Sequence, residues 1–113
     1  MDRLSTRVDT SSPDFEARKR HNLALLEELD GNLKTARMGG GGKYEARHRS
    51  RGKLLPRERI DRIIDAGTAF LELSTLAANG LYDGKAHSAG IVTGIGMVHG
   101  RECMFVANDA TVK

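Results

Sequence analysis

The chain has no tryptophan, one cysteine and two prolines among its 113 residues. A lone cysteine excludes a disulfide framework and a zinc site built of cysteines within the chain. Aromatic residues make up 4%, three Phe and two Tyr. No stretch approaches the ~18 consecutive apolar residues that a membrane-spanning helix needs. The opening MDRLSTRVDTSSPDFE lacks the apolar run of a secretory signal, and Asp2, Asp9 and Asp14 argue against a mitochondrial presequence. The expected compartment is the cytoplasm. Hydrophobic residues, at 39%, fall below the ~45–50% usual in globular domains. A chain of this size buries about two-thirds of its unfolded surface, enough for one core and no more.

What is present is strongly patterned. Residues 1–12 read as a disordered start. Ser12 can then cap a helix, with Pro13 at its first position and Asp14 and Glu16 complementing its positive end. Phe15, Leu23, Leu26, Leu29 and Leu33 recur at helical spacing, so a helix is expected to run to about Met38. Gly39–Gly42 is too costly in backbone entropy to continue it and reads as a flexible break. Gly52 and Pro56 divide residues 43–62 into two short helices. Ile60, Ile63 and Ile64 form an apolar face on the second, and Gly67 is expected to stop it.

From Thr68 the period changes. Phe70, Leu71 and Leu73 make a short strand. Residues 74–89 are loop-like, with turn signals at Asn79-Gly80 and Asp83-Gly84. Ile91–Val98 and Glu102–Ala107 read as a hairpin joined by His99-Gly100. The run CMFVA is apolar on both faces and is expected in the middle of a sheet. The chain stops where a loop should carry on, which reads as a truncated domain. The fold class is therefore α+β: a helical arm over 13–66 with its glycine-rich break at 39–42, then strands over 67–113.

Most candidate motifs fail on chemistry. Gly42-Lys43 is not a phosphate loop, because Arg37 stands where the first glycine belongs and Tyr44 where a magnesium-binding hydroxyl belongs. Gly94, Gly96 and Gly100 have the wrong last spacing for a dinucleotide fingerprint, and a strand follows them instead of a helix. Glycines within a hairpin more often mark close sheet packing or a bulge. His21, His48, His87 and His99 share no ligand spacing, so no metal is expected. Cys103 reads as a small core residue, and no Ser–His–acid arrangement can be assigned.

The basic segment 43–62 carries the most chemistry. Lys43, Arg47, Arg49, Arg51, Lys53, Arg57, Arg59 and Arg62 oppose only Glu45, Glu58 and Asp61, a local excess of +5 in a chain of net charge +3. The simplest reading is a solvated face paired with acids. A nucleic-acid surface would use the arginines to neutralise phosphates, but stacking aromatics are missing apart from Tyr44, which argues against that partner. A phosphorylated cofactor such as coenzyme A needs only a few Arg and Lys, because charge-assisted bonds to phosphate are strong.

Five runs in order carry a family resemblance: ARHRSRGKLLPRERID (Ala46–Asp61), FLELS (Phe70–Ser74), AANGLYDGK (Ala77–Lys85), AGIVTGIGMVHGREC (Ala89–Cys103) and VANDATVK (Val106–Lys113). Together they resemble the start of the carboxyltransferase (β) subunit of biotin-dependent acyl-CoA carboxylases. GLYDGK, AGIVTGIG and NDATVK most resemble the methylcrotonoyl-CoA carboxylase branch, with geranyl-CoA carboxylase close behind. The bacterial acetyl-CoA carboxylase β subunit is more remote, since it begins with a cysteine zinc ribbon.

The resemblance implies a subunit of two crotonase-like domains built of β-β-α units, here incomplete. It implies transfer of a carboxyl group from carboxybiotin to an acyl-CoA, in the methylcrotonoyl branch to the γ carbon of 3-methylcrotonoyl-CoA during leucine breakdown. It also implies a biotin-carboxylase/biotin-carrier (α) subunit as partner, a homo-oligomer of β subunits, and no membrane. Backbone N–H groups of oxyanion holes would stabilise the enolate, each contributing about 3 kcal/mol. Their Gly-Gly segments, and the second domain, lie beyond these residues in the family, so no catalytic residue is assigned. Lys113 matches a family lysine and is the first candidate for the CoA pocket, followed by Arg47, Arg51 and Lys53 as contacts to CoA phosphates. The 113-residue chain alone is accordingly expected to be inactive. ATP-dependent carboxylation above background, on mixing it with a biotin-carboxylase subunit, would overturn that expectation.

Overall fold

The computed structural model describes residues 4–112. Its elements follow in the order α1 (Pro13–Arg37), α2 (Gly42–Ser50), α3 (Pro56–Asp61), β1 (Leu71–Leu73), β2 (Ile91–Val98) and β3 (Arg101–Asn108). Two single 3₁₀ turns, Tyr82–Gly84 and His87–Gly90, interrupt the long connection between β1 and β2. Contacts divide the chain into two compact units, Met1–Gly31 and Asn32–Lys113.

In the first unit the expected cap forms. Ser12 Oγ accepts the N–H of Phe15 at 3.2 Å, and the Ser12 carbonyl accepts the N–H of Glu16. Asp14 and Glu16 sit in the first turn and pair weakly with Arg18 (3.9 Å) and Lys19 (3.7 Å). These pairs are solvated and stabilise little. Leu23, Leu25, Leu26 and Leu29 are all exposed.

In the second unit three antiparallel strands lie in the order β1-β2-β3. Val92 and Ile60 are each 2% exposed and Ala36 4%, and these are the fully buried hydrophobic residues among those described. Burying an aliphatic side chain of that size stabilises by about 1.5–3 kcal/mol, so this core is small. α3 packs against β3. The rings of Phe70 and Phe105 meet edge to face, centroids 5.8 Å apart. Gly94 and Gly96 make room for this packing: a Cβ on Gly94 would run into the Phe70 ring, and one on Gly96 would come within 2.8 Å of Ile64 Cγ2. The glycines thus mark close sheet packing, as their place in a hairpin suggests.

Three expectations change. CMFVA lies in β3, at an edge of the sheet and not in its middle, while β2 is central. Met104 (63% exposed) and Val106 (69%) are bare on the face away from α3. An apolar run on both strand faces reports that both faces suit cover; it does not fix lateral position. α3 ends at Asp61, not at Gly67, because the chain tightens at once into a turn in which the Ile63 and Ile64 N–H groups both bond to the Ile60 carbonyl. The glycine run does end α1, but Gly39 is buried and Gly40 half-buried, so these two are packed instead of free.

The β2–β3 hairpin turns on His99-Gly100, with φ of 50° and 72°. Two positive φ values are what a two-residue type I′ turn requires, and Gly100 adopts its value without strain. Asp65 holds this turn from outside. Its two carboxylate oxygens accept the N–H groups of His99 and Gly100, both at 2.7 Å, and its own N–H donates to the Met97 carbonyl at 2.8 Å. The bond from Gly100, then that from His99, pull the Asp65 carboxyl below the ordinary aspartate range. A carboxyl depressed in the folded state contributes stability that is full above the unfolded pKa of about 4 and is lost as pH falls through the lower folded value. Thermal unfolding of the wild type and Asp65→Asn should therefore differ at pH 6, with the wild type more stable, and converge toward pH 2. A gap that does not narrow in acid would contradict the clamp.

Candidate anion-binding site

The basic segment is sorted by its acids. Arg49 reaches Glu58 at 2.7 Å and Glu45 at 3.0 Å. Arg57 grips Glu72 through two bonds, 2.6 and 3.1 Å. Arg59 donates to the Asn108 carbonyl at 2.8 Å. Glu58 also accepts the Leu55 N–H at 2.8 Å, so it closes the start of α3 in place of a polar cap. That bond first, and Arg49 second, hold the Glu58 carboxyl below the usual glutamate range. Among the described residues, the side chains of Arg47, Arg51 and Lys53 enter no ion pair or hydrogen bond. These three charges are exposed and available to a ligand.

Helical spacing then groups them. Tyr44, Arg47, His48 and Arg51 follow at steps of three and four, so α2 and its cap present them on one stripe. With Ala110 and Thr111 they line a cavity of about 270 Å³. A neighbouring cavity of about 480 Å³ is lined by His48, Gly52, Lys53, Leu54, Arg59, Asn108 and Ala110. His48 belongs to both. Its Nε2 lies 3.1 Å from the Leu54 carbonyl; a carbonyl only accepts, so Nε2 is the donor. Arg47 and Arg51 therefore share one cavity, and Lys53 lies in the next.

The other wall is the loop after β3, and it is tied down. Asp109 Oδ1 accepts both the N–H (2.9 Å) and the hydroxyl (2.6 Å) of Thr111. The Thr111 hydroxyl in turn accepts the Gly40 N–H at 3.0 Å. Asp109 N–H bonds to the Gly90 carbonyl at 2.8 Å. Asp109 and Thr111 are buried. A Cβ on Gly40 would strike the Thr111 carbonyl, and one on Gly39 would come within 2.6 Å of Asp109 Oδ2. Lys113, which this loop leads to, lies outside the described residues.

A cavity with two arginines, and a lysine one histidine away, suits a phosphate group: guanidinium forks and an ammonium bind its oxygens by charge-assisted bonds. Among the described residues, no cluster of three or more His, Cys, Asp or Glu could hold a metal ion. No described helix is long and apolar enough to cross a membrane.

Residues 47–113, from the first of these arginines onward, match the family model described as the carboxyl transferase domain. The chain belongs to the carboxyl transferase domain family. It is 57% identical over 89 residues to the biotin-dependent 3-methylcrotonyl-coenzyme A carboxylase β1 subunit of Mycobacterium tuberculosis, covering 79% of this chain and 17% of that protein. It is 52% identical over 106 residues to the mitochondrial methylcrotonoyl-CoA carboxylase β chain of Arabidopsis thaliana, covering 94% of this chain and 18% of that one. Its structure superposes on the geranyl-CoA carboxylase β subunit of P. aeruginosa with a TM-score of 0.82 at 29% identity, over 97% of this chain and 20% of that one. The chain thus spans about a fifth of the length of the relatives it matches. Within the carboxyl transferase fold it is α+β, a helical arm followed by the opening strands of a crotonase-like domain.

Sequence reasoning named Arg47, Arg51 and Lys53 but not Tyr44, His48, Arg59 or the Asp109–Thr111 wall as their neighbours. For the first two the signal was present, as the 44/48 and 47/51 spacings on one helix. For the wall, an Asp-x-Thr turn was readable, but its meeting with Gly40 was not. Thr111→Val should leave the half-buried Gly40 N–H unpaired and cost about 1 kcal/mol. Chemical denaturation would check this, and an unchanged midpoint would show that the loop is not held through this hydroxyl.

Proposed function

We propose that the chain forms the N-terminal part of a carboxyltransferase β subunit that moves a carboxyl group from carboxybiotin to an acyl-CoA, with 3-methylcrotonoyl-CoA, in leucine degradation, as the substrate. Arg47, Arg51 and Lys53 bind phosphates of the CoA, and Lys113 approaches the same pocket from the end of the loop. The helices over 13–66 act as an arm, and the strands of the crotonase-like fold begin after residue 67. The observation that carries the reading is that Arg47, Arg51 and Lys53, whose side chains enter no ion pair or hydrogen bond among the described residues, line two adjoining cavities. The names of the Mycobacterium tuberculosis and Arabidopsis relatives support the substrate.

The work of these residues is binding and orientation. CoA carries its phosphates far from the reacting carbon, so arginine contacts there hold substrate and transition state alike. Such uniform binding lowers KM without changing kcat. Biotin supplies the carboxyl group when its carrier brings it. The cavities around α2 are lined by cations and a histidine, which fit phosphate and not a neutral ureido ring. No step through biotin is therefore derived from these residues. In this reading the biotin is carried by an α subunit, the β subunits assemble into a homo-oligomer, and the protein is cytoplasmic. A solved transcarboxylase 12S described as a hexamer with methylmalonyl-coenzyme A bound is 26% identical, with a TM-score of 0.66 over 79% of this chain and 18% of its own.

The test is steady-state kinetics of the complete carboxylase carrying Arg47→Ala, Arg51→Ala or Lys53→Ala. Each loss of a charged hydrogen bond should raise KM for the acyl-CoA about tenfold or more with kcat nearly unchanged. Arg62→Ala serves as the control. KM values indistinguishable from that control would remove these residues from the CoA site. Salt-sensitive binding of RNA in place of CoA would favour a nucleic-acid surface instead.

A further inference from the structure

One residue of the site has no task in the phosphate reading. His48 lines both cavities, stands half-buried in the last turn of α2, and donates from Nε2 to the Leu54 carbonyl at 3.1 Å. With its proton on Nε2, the neutral ring offers only a lone pair at Nδ1. A lone pair repels a phosphate oxygen, so in this form His48 cannot donate to the ligand as the neighbouring cations do.

The bond acts on the main chain instead. Beyond α2 the Arg51 N–H donates to the His48 carbonyl at 3.2 Å and the Gly52 N–H to the Arg49 carbonyl at 2.9 Å. Gly52 then turns the chain with a φ of 71°, and a Cβ there would meet nothing within 4 Å. Packing therefore leaves the course of the chain past Gly52 open. Lys53 comes next, in a stretch, 53–55, that belongs to no helix or strand, and it enters no hydrogen bond among the described residues. Two bonds hold that stretch directly after it: His48 takes the Leu54 carbonyl, and Glu58 Oε2 accepts the Leu55 N–H at 2.8 Å. An ammonium on a flexible stem binds tightly only where its backbone is already placed, because ordering imposed by the ligand subtracts from affinity.

We infer that His48 is a positioning residue: through the Leu54 carbonyl it holds Lys53 at the larger cavity, beside the arginines, and so tightens acyl-CoA binding without touching the phosphate. This role rests on the reading of Lys53 as a phosphate contact.

Steady-state kinetics of the complete carboxylase at about pH 8, above the ordinary histidine pKa of about 6.5, test this role. His48→Ala should raise KM for the acyl-CoA about fivefold, the loss of one neutral hydrogen bond, with kcat nearly unchanged. His48→Gln, whose amide N–H reaches about as far as Nε2, should return KM to within about twofold of the wild type. In the double variant H48A/K53A, KM should equal that of Lys53→Ala alone, about tenfold up, because His48 acts only through Lys53. Should His48→Ala not fold, His48→Leu keeps the bulk of the ring without a donor and takes its place in the series. Effects that multiply to about fiftyfold in the double variant overturn the role, since the two groups would then bind independently. So does a His48→Gln enzyme no better than His48→Ala, or a His48→Ala enzyme with wild-type KM. In each of those cases Lys53→Ala still raises KM, and the phosphate reading stands. A Lys53→Ala enzyme indistinguishable from the Arg62→Ala control removes that reading, and the role of His48 with it.

Discussion

The hydroxyl of Thr111 is the point on which the second unit depends. It donates to Asp109 and accepts from the Gly40 backbone, and so binds the loop after β3 to the turn after α1 across 71 residues of sequence. Asp109 and Thr111 are buried and Gly40 is half-buried, and an unpaired polar group there costs free energy comparable to a lost hydrogen bond. The contact is close enough that Gly40 has no room for a side chain. Two of the cavity walls, the α2 stripe and the 108–112 loop, face one another because this tie holds.

A second constraint acts through charge. Basic segments are common, and most of their residues are solvated. Here acids select among them: Glu45 and Glu58 take Arg49, and Glu72 takes Arg57. Among the cations left without an acid, Arg47, Arg51 and Lys53 line the two cavities beside α2. Electrostatics thereby turns a diffuse excess of positive charge into a located site, and the half-buried Arg57–Glu72 pair fixes α3 to β1 in the same stroke.

The legible parts of the fold are those set by neighbours in sequence. Ser12-Pro13 begins α1 and the glycine run ends it within a residue of the expected place, because caps and breakers act locally. His99-Gly100 marks the hairpin turn, since only certain residues accept two positive φ values in succession. The less legible parts depend on distant partners. CMFVA looks central yet lies at an edge, for hydrophobicity on both faces says nothing about which strands flank it. Gly39 and Gly40 look like a flexible break, yet they are seats for Thr111 and Asp109, whose approach no local pattern encodes. Asp65 gives no sign in the sequence that it will cap a turn more than thirty residues away.

For the site, the charge excess of residues 43–62 pointed to phosphate, the family resemblance singled out Arg47, Arg51 and Lys53 within it, and the ordered runs from Ala46 to Lys113 were enough to identify the family. Both follow from information carried along the chain: side-chain chemistry, and a succession of motifs. Which arginines would be left unpaired was decided only by tertiary structure, because an ion pair depends on distance in space, and Glu72 lies fifteen residues from the arginine it removes. The wall opposite those arginines was likewise decided only on folding, when the Gly40 backbone and the Thr111 hydroxyl came within bonding distance.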